Sequence, residues 1–180
     1  MLKGKLVTLR PVRRSDKQFF LKWCNDPEVI QFDTDYVPLT EMEQEKWWTE
    51  PSSSDGSNVH FMMEAVVQDG AKPVGFLGLH YIDHKDRHAS AGIIIGEKDY
   101  WSRGYGAEAA GLLLRYGFEE LNLHRIYAGI WSFNARSLGL CLKMGFREEG
   151  RRREAVFKNG VYCDEVMFGL LRSDWEKLNK

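Results

Sequence analysis

The stretch Ala-Gly-Ile-Ile-Ile-Gly-Glu-Lys-Asp-Tyr-Trp-Ser-Arg-Gly-Tyr-Gly-Ala-Glu, residues 91–108, constrains the fold more than any other part of the chain. Its apolar run reads as a central strand covered on both faces. A short polar loop then leads to Gly104 and Gly106, which open a helical pattern reaching Leu121. A strand feeding a glycine-rich helix start is an element of α/β architecture. The glycines allow a ligand to approach the backbone closely, and the first amides of a helix have no internal partner. With the helix dipole added, the loop suits a phosphate or pyrophosphate, and Arg103 would supply charge at its rim. An ordinary tight turn uses the same glycines, so the surrounding sequence has to decide.

That context excludes two common phosphate binders. No Gly-Lys-Ser/Thr follows, so there is no P-loop. A third glycine at dinucleotide spacing would fall at Ala109, and no acid ends a second parallel strand. Elsewhere the pattern predicts a strand over Lys5–Arg10 and a helix from an N-cap at Ser15 to Trp23. Thr40-Glu41-Met42-Glu43 fits a capping box for a second helix to about Thr49. Strands are expected over His60–Gln68, Pro73–Ile82 and Ala89–Ile95, and again over His124–Trp131. Asn134 caps a helix that ends at Gly145. Lys158-Asn159-Gly160 joins two final strands, Phe146–Phe157 and Val161–Leu171, as a hairpin. The 180 residues make one domain over 1–180, α/β with a mixed sheet.

Composition narrows the partners. No run reaches the roughly 18–20 apolar residues of a membrane span, and the N-terminus has no apolar signal segment. Cys24, Cys141 and Cys163 suit neither a disulfide framework nor a metal pattern, which points to a reducing, cytoplasmic setting. The net charge of −1 gives no strong nucleic-acid signal, yet it conceals a division. Nine acids and one base, Lys46, lie between Asn25 and Gly56, while 24 of the 25 bases and 17 of the 26 acids lie elsewhere. Such a segment is either a solvated helix face or a funnel for a cationic partner.

The Arg-Gly-Tyr-Gly-Ala loop, the Asn134 helix ending in Lys143-Met-Gly-Phe, and the hairpin from Gly150-Arg to Leu-Leu-Arg172 resemble the GNAT superfamily of N-acetyltransferases. With the opening Leu-Val-Thr-Leu-Arg-Pro and Cys-Asn-Asp-Pro-Glu-Val, the chain is most similar to the RimJ/RimL-like branch, which also holds spermidine acetyltransferases. The resemblance implies a mostly antiparallel sheet with a splayed central strand, helices on both faces and a C-terminal β-hairpin. It also implies acetyl-CoA as acetyl donor, no metal, and direct transfer to a primary amine. The backbone of Ile93, Ile94 and Ile95 would pair with the pantetheine arm. The amides of Arg103, Gly104, Tyr105, Gly106 and Ala107 would hold the pyrophosphate, and Asn134 and Lys143 would contact the same cosubstrate. Three family positions differ. Trp101 replaces the first motif residue, Cys141 stands where a tyrosine commonly protonates the thiolate, and Ser90 replaces a glutamate.

The attacking amine must be neutral, but an amine of pKa near 10 is only about 0.1% neutral at pH 7. A carboxylate or imidazole could take its proton, and Glu64, His80, Asp33 and Asp35 are candidates. The Ile94 backbone amide would stabilise the developing oxyanion. Cys141 is either a thiol donor or a small core residue. The acidic segment, with Asp33, Asp35 and Trp47, would receive a cationic acceptor, a polyamine-like amine before a protein N-terminus. A homodimer is compatible with the family. His80, His84 and His88 fall across a hairpin, a poor zinc geometry. Two other readings stay open: a non-catalytic acyl-CoA-binding regulator, and a module docking ribosome or RNA through Arg151–Arg153.

Overall fold

Alternating apolar residues near the N-terminus form β1 (Leu2–Lys3) and β2 (Val7–Pro11), an antiparallel pair in which Val7 and Leu9 are fully buried. The computed structural model describes residues 1–33, 37–49, 56–68 and 70–179, with the backbone alone over 46–49. The strand expected over Lys5–Arg10 starts two residues later, at Val7. The amides of Lys5 and Leu6 are bonded to the Glu108 carboxylate instead of a neighbouring strand. A 3-10 turn (Arg14–Asp16) precedes α1 (Lys17–Cys24), so Ser15 is not the cap. Asp16 is the N-cap residue of α1 and makes no side-chain bond to that helix; its carboxylate accepts from the Arg13 amide at 2.7 Å across the 3-10 turn.

Then come α2 (Pro27–Ile30), α3 (Glu41–Thr49) and β3 (Val59–Val67). The capping box at Thr40 is present, with Glu43 N–H donating to Thr40 Oγ1 at 3.2 Å and Thr40 N–H donating to Glu43 at 3.0 Å. The remaining elements are β4 (Gly70–Asp83), β5 (His88–Ile95), α4 (Tyr105–Arg115), β6 (Arg125–Trp131), α5 (Ala135–Lys143), β7 (Arg147–Lys158), β8 (Val161–Leu171) and α6 (Arg172–Leu178). The strands form one eight-stranded sheet in the order β1-β2-β3-β4-β5-β6-β8-β7. Among the described ladders only β5–β6 is parallel.

That parallel ladder is short. It pairs His88 with Arg125, Ala89 with Ile126 and Ser90 with Tyr127, and stops there. The sheet splays beyond Ser90. The isoleucines after it are therefore half-buried and Gly92 is exposed, which corrects the expectation of a strand covered on both faces. The helix expected to reach Leu121 ends earlier: α4 gives way to a π turn over Tyr116–Glu120. Gly117 lies in that turn, where an added Cβ would stand 2.8 Å from Ile126 Cδ1. The widened turn lets Ile126, Leu79 and Leu123 close over the glycine.

By its internal packing the chain divides into two compact units, Met1–Gly78 with Ile93–Leu112, and Leu79–Gly92 with Leu113–Lys180. The first unit holds an aromatic core of Phe20, Trp23, Val29 and Met62, against which Phe76, Ile94 and Trp101 pack. It also encloses an ionic network. Arg10, 3% exposed, donates to both oxygens of Asp16 at 2.7 and 2.8 Å and to Glu64 at 2.7 Å. In the second unit β7 and β8 form the hairpin that Asn159-Gly160 dictates, with both residues at positive φ (53° and 82°). The β7 side of that ladder breaks register at Glu148/Gly150 and at Arg152/Val156.

Candidate functional site

The end of β5 and the loop after it are fixed within the first unit by bonds from every side. The amides of Gly96 and Glu97 both donate to the Val74 carbonyl, at 2.9 and 3.1 Å. The Trp23 indole covers Gly96, where an added Cβ would fall 2.1 Å from the ring. Glu97 accepts from Trp23 Nε1 at 2.9 Å and from Lys22 Nζ at 2.5 Å. Lys98 pairs with Asp26 at 3.0 Å and Glu28 at 2.7 Å, binding the loop to α2. Trp101 has a definite task too: its indole N–H donates to the Ile95 carbonyl at 2.7 Å. That bond ties down one of the three backbone positions expected to meet the pantetheine arm.

The loop enters α4 through Gly104, whose φ of +90° lies where a Cβ is strained. The first helical bond runs from Glu108 N–H to the Gly104 carbonyl at 3.0 Å. The amides of Tyr105, Gly106 and Ala107 precede it at the positive end of an 11-residue helix. A Cβ on Gly106 would stand 3.1 Å from Ile95 Cδ1, so glycine leaves a cradle between helix start and strand end. Half-buried Ile93–Ile95 supply an apolar approach to it, and Arg103 is exposed beside it. These residues offer an anion cradle at a helix start, reached along an apolar strand end.

The other expected site residues have varied surroundings. Glu64 is engaged by the Arg10 guanidinium. Asp33 is half-buried; Asp35 lies outside the described residues, as does the side chain of Trp47. In the second unit, His80 is half-buried, with Nε2 3.3 Å from where a Cβ on Gly92 would be. Asn134 is buried and caps α5, accepting from the Ser137 amide at 3.2 Å, whereas Lys143 is exposed. Cys141 is buried on α5, whereas its neighbour Leu142 is 61% exposed. Burial pushes the Cys141 thiol up to about 11, leaving only about 0.1% thiolate at pH 8. Iodoacetamide at that pH is therefore expected to label the half-buried Cys163 before Cys141, with peptide mass mapping as the readout. Faster labelling of Cys141 would contradict its burial.

The acidic segment is less free than its composition implies. Lys98 holds Asp26 and Glu28, while Arg14 and Lys17 hold Glu45. Glu43 is occupied by the Thr40 cap. Asp35, Glu50 and Asp55 lie outside the described residues. Of His80, His84 and His88, only His88 joins a group of ligating side chains, with Asp83 and Asp86 within 4.8 Å. Asp83 Oδ1 already accepts the amides of Lys85 and Asp86 at 2.8 and 2.7 Å in a local turn.

Sequence reasoning missed Trp101 as the partner of Ile95, although a tryptophan at a motif position was a visible signal. It also missed α2, with Pro27 after Asp26 as an available start signal, and α6.

A splayed strand running into a helix-start cradle defines a class of protein that holds an extended, anionic acyl carrier. The model of the acetyltransferase (GNAT) domain family matches residues 7–147. The chain is 38% identical over 173 residues to the uncharacterized N-acetyltransferase YnaD of Bacillus subtilis, covering 95% of this chain and 96% of YnaD. It is 31% identical over 162 residues to the spermidine N(1)-acetyltransferase of Escherichia coli K12, covering 89% and 83% of the two chains. The spermidine N-acetyltransferase of Vibrio cholerae, solved in complex with CoA and spermine, superimposes with a TM-score of 0.88 at 26% identity, covering 96% of this chain and 99% of that one. The chain belongs to the GNAT family and is an acetyl-CoA-dependent N-acetyltransferase. Membership sets aside the reading as a non-catalytic regulator. Of the arginines in the ribosome- or RNA-docking reading, Arg151 pairs with Glu148 and Arg152 with Glu165.

Proposed function

We propose that this enzyme acetylates a cationic primary amine, a polyamine-like small molecule first and a protein N-terminus second. The observation that carries the cosubstrate side is the passage from half-buried Ile93–Ile95 into the open amides of Tyr105–Ala107. The acceptor side is supported by similarity to a spermidine acetyltransferase over most of both chains. The remaining excess of acids between Asn25 and Gly56 agrees with it.

Acetyl-CoA supplies an acyl group already activated as a thioester. In the proposed mechanism the amides of Tyr105–Ala107 and the Arg103 guanidinium bind the pyrophosphate. Ile93 and Ile95 align the pantetheine by backbone pairing, with Trp101 fixing the far end of that strand. The Ile94 carbonyl lies against Gly75 of β4, on the opposite edge of the strand, so the donor to the carbonyl oxygen of the transferring group is an amide on the edge that Ile93 and Ile95 share. Glu64 is a poor proton acceptor, since it is already committed to Arg10, and His80 is the candidate put to the test. Cys141 needs no acylation, because the amine attacks directly and the buried thiol stays protonated at neutral pH.

Coenzyme thiol release with acetyl-CoA tests the acceptor against spermidine, a kanamycin-type amine and Ser- or Ala-starting peptides. Spermidine is expected to give the highest kcat/KM, falling as salt rises because the attraction is between charges. Turnover of peptides alone would overturn the polyamine reading. In the same assay, a wild-type pH–rate profile for His80→Gln would remove His80 as the base.

A further inference from the structure

The Glu108 carboxylate reaches away from α4 and accepts three backbone amides in succession: Lys5 at 2.8 Å, Leu6 at 2.7 Å and Val7 at 2.7 Å. These donors lie more than 100 residues away in sequence, in the turn between β1 and β2 and at the first residue of β2. Gly4, the first residue of that turn, leaves no room to spare, since an added Cβ would lie 2.4 Å from Glu108 Oε2. The turn in turn reaches the loop: Leu6 Cδ1 is 3.5 Å from where a Cβ on Gly104 would stand. One carboxylate thus ties the N-terminal turn to the first turn of the helix that carries the cradle.

We propose that Glu108 is a positioning residue for acetyl-CoA, holding the Gly4–Val7 turn as the buttress behind the pyrophosphate loop. This rests on the reading of Arg103–Ala107 as that loop. Two physical effects act together. The three bonds fix where α4 begins, and with it the direction of the amides of Tyr105–Ala107. They also neutralise a negative charge one turn from a bound pyrophosphate, which a bare carboxylate would repel. Glutamate suits the place because its two oxygens can accept from several amides at once.

Glu108→Gln keeps the shape but turns one acceptor oxygen into an N–H donor that faces amide N–H groups. Gly4→Ala attacks the same contact from the other element, by driving a methyl into the carboxylate. The readout is affinity for two ligands, coenzyme A and pantetheine, the second lacking the pyrophosphate. Both variants are expected to bind coenzyme A about tenfold more weakly while keeping wild-type affinity for pantetheine. A merely structural role would weaken both ligands alike, and that result would overturn the proposal. Unchanged affinity for both would overturn it too. If the wild-type protein itself failed to prefer coenzyme A over pantetheine, the loop reading would fall, and this proposal with it.

Discussion

Replacing Gly104 and Gly106 together by valine is expected to reduce coenzyme A affinity by more than about 100-fold while leaving the sheet intact. Gly104 stands at φ +90°, a region that a β-branched residue enters only at a cost of about 1–3 kcal/mol. The loop can avoid that strain only by turning the peptide planes that lead into α4, and the amides of Tyr105–Ala107 turn with them. Gly106 acts by space rather than by backbone angle. Its added Cβ would meet Ile95 Cδ1 at 3.1 Å, and the two γ-methyl groups of valine would extend into the cradle itself. A calorimetric titration with coenzyme A checks the prediction, and far-UV circular dichroism checks that the fold persists. Undiminished binding would show that the pyrophosphate lies elsewhere.

The largest expected effect on stability belongs to Asp16→Asn, a destabilisation of about 3–5 kcal/mol. Asp16 and Arg10 are 2% and 3% exposed, and the guanidinium grips both carboxylate oxygens. Removing the charge on one side leaves Arg10 buried with only Glu64 to answer it. The pH dependence carries its own signature. Burial, the largest single influence, pushes the Asp16 carboxyl up, but hydrogen bonds from Arg10 and from the Arg13 amide together pull it below its ordinary value of 3.8. A carboxylate held low in the folded state stabilises above the unfolded pKa, and this contribution is lost as pH falls through the folded value. The wild type is therefore expected to lose stability more steeply than Asp16→Asn below about pH 4. At neutral pH the variant should melt roughly 10 °C lower, as followed by thermal denaturation. Equal melting temperatures would mean that the pair contributes nothing net.

Periodicity and turn chemistry made most of the architecture legible. Asn159-Gly160 dictates its hairpin because few other residue pairs accept two successive positive φ angles. Thr40 and Asn134 announce their helices because hydroxyl and amide side chains satisfy helix-start amides. The apolar run at Ile93–Ile95 was visible, but its half-exposure was not, because burial depends on where the β5–β6 ladder stops. The acidic segment misled for a related reason. Composition counts charges and is blind to partners such as Lys98 and Arg14, the first of them far along the chain. Arg10 and Asp16 show the same limit, reading as ordinary surface residues, and Glu64 reads as a candidate base, until β2, the turn after it and β3 are brought together.

An eight-stranded sheet has two open borders, and each is a place where another chain could add a strand. Here both borders are poor templates. The β1 border offers only two residues. The β7 border is long enough at twelve, but positive φ angles at Gly150 and Glu154 interrupt its row of amides and carbonyls. The irregularities in β7 thus have a use unrelated to acetyl transfer. They let a large sheet end in solvent at a border that offers a neighbouring strand few successive backbone partners.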